Sequence, residues 1–206
     1  MTKDMHTIIN VGRSFGSGGG FVAKAVGSKL GIPVFDNELI SKTAEESGYS
    51  KSLFAHGEEK SLFSVSSFFA SGRLSYLDSG YMNDNVLFNI QSEVIRQIAD
   101  KGDAVIIGRC ADYILRDRPC LNVFVGGSEQ YRIRRLMENE GLSAAEAEKL
   151  MRRKDRTRET YYNYYTFGAW GQASNYHLCI DSSILGIEGT ADYIIEFGRK
   201  AGLIKP

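Results

Sequence analysis

Residues Gly12-Arg13-Ser14-Phe15-Gly16-Ser17-Gly18-Gly19-Gly20 place five glycines in nine positions, between an apolar run at Thr7 to Val11 and an amphipathic pattern that begins at Phe21. A short apolar run ending in glycines predicts a buried strand. Phe21, Val22, Ala25, Val26 and Leu30 fall on one face of a helix, and Gly31 with Pro33 stops it. A glycine-rich turn from a first strand into a first helix points to an α/β fold. It also makes an anion site. Free backbone N–H groups and the positive end of the helix dipole converge there, and glycines let the chain curl round a phosphate without Cβ clashes.

The rest of the chain repeats the alternation. Val34 and Phe35 form a brief second strand, Asp36 or Asn37 caps a helix carrying Leu39, Ile40, Thr43 and Ala44, and Gly48 ends it. Residues 49 to 80 mix Ser and Gly with aromatics and show no clean period. Met82, Val86, Leu87, Ile90, Val94, Ile95 and Ile98 mark a long amphipathic helix. Strands follow at Ala104 to Ile107, Leu121 to Val125 and Leu178 to Ile180. Between them, Ser128 opens one helix and a Ser143/Glu146 capping box opens a longer one; the last helix runs from Thr190. Strands separated by helices imply a parallel sheet covered on both faces, a three-layer α/β domain with one insertion.

The standard phosphate loop is Gly-x-x-x-x-Gly-Lys-Ser/Thr. Here five residues separate Gly12 from Gly18, Gly19 holds the lysine slot, and no Ser or Thr follows. The lysine normally neutralises the outer phosphates, so another cation has to replace it. Arg13 is the first candidate; the other reading makes it a solvated loop cation. Lys24 lies further along the helix and is expected to point elsewhere.

From Arg132 to Arg158 there are nine Lys or Arg against five Asp or Glu. Arg152, Arg153 and Arg156 share a helix side by their spacing, and guanidinium forks suit phosphate oxygens. The alternative is a solvated face paired with Glu148, Asp155 and Glu159. Tyr161, Tyr162, Tyr164, Tyr165 and Trp170 are expected to pack on the core rather than stack on bases. His6, His56 and His177 are scattered and predict no dedicated metal site. Cys110, Cys120 and Cys179 read as small buried hydrophobes, not a disulfide framework. The 25 basic residues balance 25 acidic ones, which predicts neither a nucleic-acid nor a membrane partner. With no apolar signal core or membrane-length run, the expected location is the cytoplasm.

With GSGG after the first strand, GRC after the third and the basic helix beyond, the chain resembles the cytidylate kinase-like family of nucleoside monophosphate kinases. The stretches GSGGGFVAKAVGSKLGIPVFDNELI, IIGRCADYIL and RETYYNYYTFGAWGQASNYHLCIDSS carry the likeness. The resemblance implies a three-layer α/β/α P-loop kinase fold over 1–206, with a five-stranded parallel sheet, a monophosphate-binding insertion at 49–80 and a lid at 143–166. It implies phosphoryl transfer from ATP with Mg2+ to a nucleoside monophosphate, CMP or dCMP first. Gly16, Ser17, Gly18, Gly19 and Gly20 would hold the ATP phosphates. Arg13, Arg153, Arg156 and Arg158 would act in transfer, Asp36 and Arg109 would hold the acceptor, and Asp181 and Ser182 would lie by the adenine. The family's Asp-Gly-Arg-Asp turn reads Ile107-Gly108-Arg109-Cys110 here, and Thr157 replaces an acceptor-holding aspartate. These departures keep two other readings open, a non-catalytic nucleotide-binding protein and a P-loop kinase for another small acceptor. A dinucleotide-binding oxidoreductase fits less well, because Phe21 stands where the last fingerprint glycine would be.

Overall fold

The computed structural model describes residues 6–46 and 80–205. The expected insertion at 49–80 falls almost entirely outside them. Five strands form one sheet: β1 (Ile8–Arg13), β2 (Val34–Phe35), β3 (Ala104–Ile107), β4 (Leu121–Gly126) and β5 (Leu178–Asp181). Their order is β2-β3-β1-β4-β5 and every pairing is parallel. Parallel neighbours require crossovers. The helices supply them: α1 (Gly19–Leu30), α2 (Asn37–Glu46), α3 (Gly80–Lys101), the short α4 (Ala111–Ile114), α5 (Glu129–Glu140), α6 (Ala144–Thr166) and α7 (Ser182–Lys200).

Period-two alternation along β1 sorts its side chains between two cores. Ile9 and Val11 join Val22 and Val26 of α1 and Ile194 of α7 on one face. Ile8 joins Ile90, Val94 and Ile98 of α3 on the other, together with Tyr162 of α6. The result is the three-layer arrangement expected from the sequence. A small third cluster of Leu136, Ala147 and Met151 binds α5 to α6, and Phe15 from the glycine-rich loop packs against it.

Local signals place most helix ends. Asp36 accepts a bond from the Leu39 amide at 3.0 Å and so caps α2. Ser143 and Glu146 form the expected capping box at α6. Gly31 closes α1 in the left-handed conformation at φ 67. Helix α7 begins at Ser182, earlier than the sequence suggests, and is broken at Gly186 (φ 68, ψ −175). Phe21 corrects the helical-face expectation, because it is 60% exposed, whereas Ala23 is buried. It sits in the first turn of α1, with the Arg135 guanidinium over its ring.

Helix α1 lies on β2 through Gly27. A Cβ there would be 2.2 Å from Val34 Cγ2 and 3.0 Å from the Ile32 carbonyl. Gly27→Ala is therefore expected to lower stability by about 1–2 kcal/mol, the overpacking outweighing alanine's better helix propensity. Urea denaturation measures this, and an unchanged midpoint would disprove the close approach.

Candidate functional site

In open α/β sheets ligands gather beyond the carboxyl ends of the strands. Here β1 ends at Arg13 and β3 at Ile107, and the loop into α1 lies over that edge. Gly16 (φ 81) and Gly18 (φ 80) are left-handed, and Gly18 is the helix N-cap with no side-chain bond to the first turn. Ser17 between them is fully buried. Its hydroxyl lies 2.9 Å from the Ser14 carbonyl and 3.0 Å from that of Val125, and accepts from the Gly19 amide at 3.2 Å. Ser14 N bonds Val125 O and Phe15 N bonds Asp155, so the loop is held from both sides. The amides of Gly16, Gly18, Gly20 and Phe21 find no acceptor among the described residues. This loop offers backbone donors to an anion at the positive end of α1.

Arg13 is not a loop residue as the sequence suggested. It pairs with Val125 as the last residue of β1. Following Ile9 and Val11, its side chain leaves on the α1 face. It runs past Gly19, where a Cβ would be 2.5 Å from Arg13 Cβ, and ends at Gly108, where a Cβ would be 2.1 Å from Arg13 Nη1. Burial, then the charges of Arg158 and Arg109, push its guanidinium down from the usual value to about 9; Asp36 acts in the opposite direction. The guanidinium stays charged at neutral pH, yet none of its five N–H donors has a hydrogen-bond acceptor among the described residues.

Arg109 reaches the same place by a strained route. Gly108, Arg109 and Cys110 are consecutively left-handed at φ 71, 56 and 57. A non-glycine residue there costs on the order of 1–2 kcal/mol, and such strain persists only where surrounding structure imposes it. The Arg109 guanidinium lies 5.3 Å over the Tyr161 ring. Cys110 points into the core at 3% exposure, and burial pushes its thiol up to about 12.

The three arginines expected in a lid separate. Arg158 donates to the Arg13 carbonyl at 2.9 Å and lies 5.2 Å over the Phe15 ring. Burial holds its pKa below the usual value, with Asp155 opposing. Arg153 and Arg156 are exposed and make no side-chain hydrogen bond or ion pair among the described residues. Arg152 pairs with Glu148 and Glu129 on the solvated face. Asp155, expected on that face, instead accepts from Phe15 N at 2.7 Å and pairs with Arg132. Arg132 in turn donates through Nε to the Phe15 carbonyl at 2.8 Å.

At the far side of the loop, Asp181 caps α7 by accepting from Ser183 N at 2.8 Å. Ser182 is fully buried, with its hydroxyl 2.6 Å from the Ser17 carbonyl and 2.9 Å from that of Gly126. It fastens α7 to the loop and offers no free group to a ligand. The aromatic run packs as expected at Tyr161, Tyr162 and Tyr165, whereas Tyr164 is 49% exposed. Trp170 lies edge-on to Phe124 at 5.3 Å.

Sequence reasoning missed Arg135. Its guanidinium would be 3.4 Å from a Cβ at Gly18, it lies over the Phe21 and Tyr131 rings, and its Nε is buried without a partner among the described residues. The available signal was Arg132-x-x-Arg135, one turn apart on the first helix after β4. Among the described residues no three His, Cys, Asp or Glu side chains gather as a metal site, and no helix is long and apolar enough to cross a membrane.

A family model described as the cytidylate kinase-like family matches residues 8–184. A cytidylate kinase from Aeropyrum pernix is 28% identical over 107 residues, covering 52% of this chain and 62% of that protein. The chain thus spans less than two thirds of that relative's length. Among solved structures, an uncharacterized protein from Eubacterium ventriosum superposes with a TM-score of 0.70 at 28% identity, covering 92% of this chain and 96% of its own. A shikimate kinase from Bacteroides thetaiotaomicron shares the fold, with a TM-score of 0.52, 15% identity and coverage of 94% and 98%. TT1252 from Thermus thermophilus does so as well, at 0.55 and 17%, covering 98% and 100%.

Proposed function

The chain belongs to the cytidylate kinase-like family, and on that premise we propose that it transfers the γ-phosphoryl group of ATP to a nucleoside monophosphate, with CMP or dCMP as the leading acceptor. The observation that carries this reading is a set of unpaired donors gathered at the end of β1. The amides of Gly16, Gly18, Gly20 and Phe21 and the side chains of Arg13 and Arg109 make no hydrogen bond among the described residues, and Arg158, bonded to the Arg13 carbonyl, adds a third positive charge beside them. Phosphoryl transfer is mostly positioning plus neutralisation of charge, and buried guanidinium groups with no acid at bonding distance suit a phosphate group. ATP phosphates would occupy the loop amides, with Arg135 beside Gly18. The acceptor phosphate would lie against Arg109, with Asp36 nearby. Arg153 and Arg156, exposed on α6, would meet the nucleotides only on lid movement. Mg2+ would neutralise charge on the transferring phosphates, and Asp36, whose charge reaches the Arg13 guanidinium, would be the carboxylate that helps to hold it.

One observation favours a broader acceptor class. The family's base-reading acid is replaced by Cys110, whose side chain is in the core. The test is to incubate the protein with ATP, Mg2+ and a panel of nucleoside monophosphates and small hydroxylated acceptors, and to detect products directly. CDP or dCDP as the fastest product supports the leading acceptor. A faster non-nucleotide product moves the reading to another small-acceptor kinase. ATP binding without any product makes the protein a nucleotide-binding one.

A further inference from the structure

The departure from the standard phosphate loop has a steric cause. In Gly-x-x-x-x-Gly-Lys-Ser/Thr the lysine immediately follows the second glycine, and the first glycine lies six positions before it. Aligned on Gly18-Gly19, the first-glycine slot is Arg13 and the Ser/Thr slot is Gly20. The two end positions therefore hold Arg and Gly where the standard loop holds Gly and Lys. They are also neighbours in space, because a Cβ at Gly19 would be 2.5 Å from Arg13 Cβ and 3.2 Å from both Arg13 Cγ and Val125 Cβ. Arg13 Cβ is fixed to β1 and cannot swing away, so only one of the two positions can carry a side chain. At Gly20 a Cβ would meet nothing within 4 Å, so that slot is open.

We propose that this loop carries its phosphate-neutralising cation at the strand end instead of the helix end: Arg13 does the work of the lysine, and Gly19 stays bare so that the Arg13 stem can pass. Three further observations agree. The Arg13 guanidinium has no hydrogen-bond acceptor among the described residues. It shares its surroundings with Arg109 and Arg158. Gly108 is left-handed and would collide with Arg13 Nη1 if it carried a Cβ, so both glycines along the path of Arg13 are accounted for. The Arg13 side chain runs from Gly19 of the loop to Gly108, the neighbour of Arg109, so it can touch the phosphoryl group while a flanking arginine holds the acceptor. The inference rests on the nucleotide-kinase reading, but it concerns which residue holds ATP and can be tested without turnover.

The experiment measures ATP affinity by calorimetry on the full chain and its variants, with circular dichroism to verify folding and the acceptor assay run in parallel. Arg13→Met keeps the stem and removes the charge. It is expected to fold as the wild type and to lose about 10- to 100-fold in ATP affinity, the effect of a charge-assisted hydrogen bond. Gly19→Lys alone is expected to bind ATP poorly, because its Cβ meets that of Arg13. The reciprocal exchange Arg13→Gly with Gly19→Lys and Gly20→Thr rebuilds the standard loop and is expected to bind within about 10-fold of the wild type. Wild-type affinity in Arg13→Met overturns the proposal. So does a Gly19→Lys variant that binds as well alone as in the exchange, or a folded exchange variant that binds no better than Arg13→Gly. A wild type that binds ATP but turns over no acceptor defeats the kinase reading alone, and the affinity ranking still decides the role of Arg13.

Discussion

Asp155→Ala is expected to destabilise the protein by about 3 kcal/mol, more than any substitution on the exposed face of α6. The carboxylate lies between the Phe15 amide, at 2.7 Å, and the Arg132 guanidinium, with side-chain exposures of 12% for Arg132 and 20% for Asp155. Removing it leaves a mostly buried cation and a backbone donor unpaired at once. Such losses exceed what the intact pair contributes, because the desolvated charge remains behind. Arg152 on the same helix is the control. Its pairs with Glu129 and Glu148 are at the surface, and Arg152→Ala is expected to cost less than about 1 kcal/mol. Asp155→Asn, which retains an acceptor for Phe15, should fall between the two. Urea denaturation of the three variants makes the comparison. If Asp155→Ala cost no more than Arg152→Ala, the clasp between α6 and the glycine-rich loop would have no energetic content. If the large loss is seen, the α5–α6 hairpin is coupled to the loop through Phe15, and movement of one must be felt by the other.

Gly108→Ala is expected to divide activity from stability. Left-handed φ at an alanine costs on the order of 1–2 kcal/mol. The collision of the new Cβ, at 2.1 Å, is with Arg13 Nη1, the far end of a flexible side chain. That guanidinium can move aside cheaply, so the collision adds little to the stability loss. In the proposed site, however, moving it takes the charge away from the phosphoryl group, and misplacement by about 1 Å costs on the order of 100-fold in rate. Turnover should therefore drop by about 100-fold while the urea midpoint falls only modestly. The same change at Gly102, where a Cβ meets nothing within 4 Å, should leave turnover unaltered. Equal rates for Gly108→Ala and Gly102→Ala would show that Arg13 is not needed where it lies.

Much of this architecture is written in local patterns. The apolar runs at 104–107 and 121–125 become central strands because they are bordered by turns and too short for helices. Ser143 with Glu146, Gly31 and Asp36 set helix ends through bonds within three or four residues, which a linear sequence displays directly. The glycine-rich loop was legible as a turn with unpaired amides because its chemistry belongs to the backbone and its place follows from a strand and a helix. Phe21 was misassigned because periodicity describes a face but not where that face runs out of sheet to cover.

What surrounds that loop depends on distance in space, which spacing along the chain does not encode. Arg13 and Gly19 look like independent residues until β1 and the first turn of α1 bring their Cβ positions to 2.5 Å. Asp155 looks like one charge in a basic helix until α6 folds back on Phe15, 140 residues away. Arg158 is expected at the site from the resemblance and Asp155 only as a partner on a solvated face, yet helical geometry and the packing of Phe15 into the α5–α6 cluster turn both toward the loop. The chain by itself thus determined the alternation of strands and helices, the helix caps and the glycine-rich turn at the start of α1, all set by interactions within a few residues. Which cation lies beside the loop, and which acid holds it, was decided only when the sheet and the α5–α6 hairpin fixed side chains at contact distance, because electrostatics and steric exclusion act through space rather than along the chain.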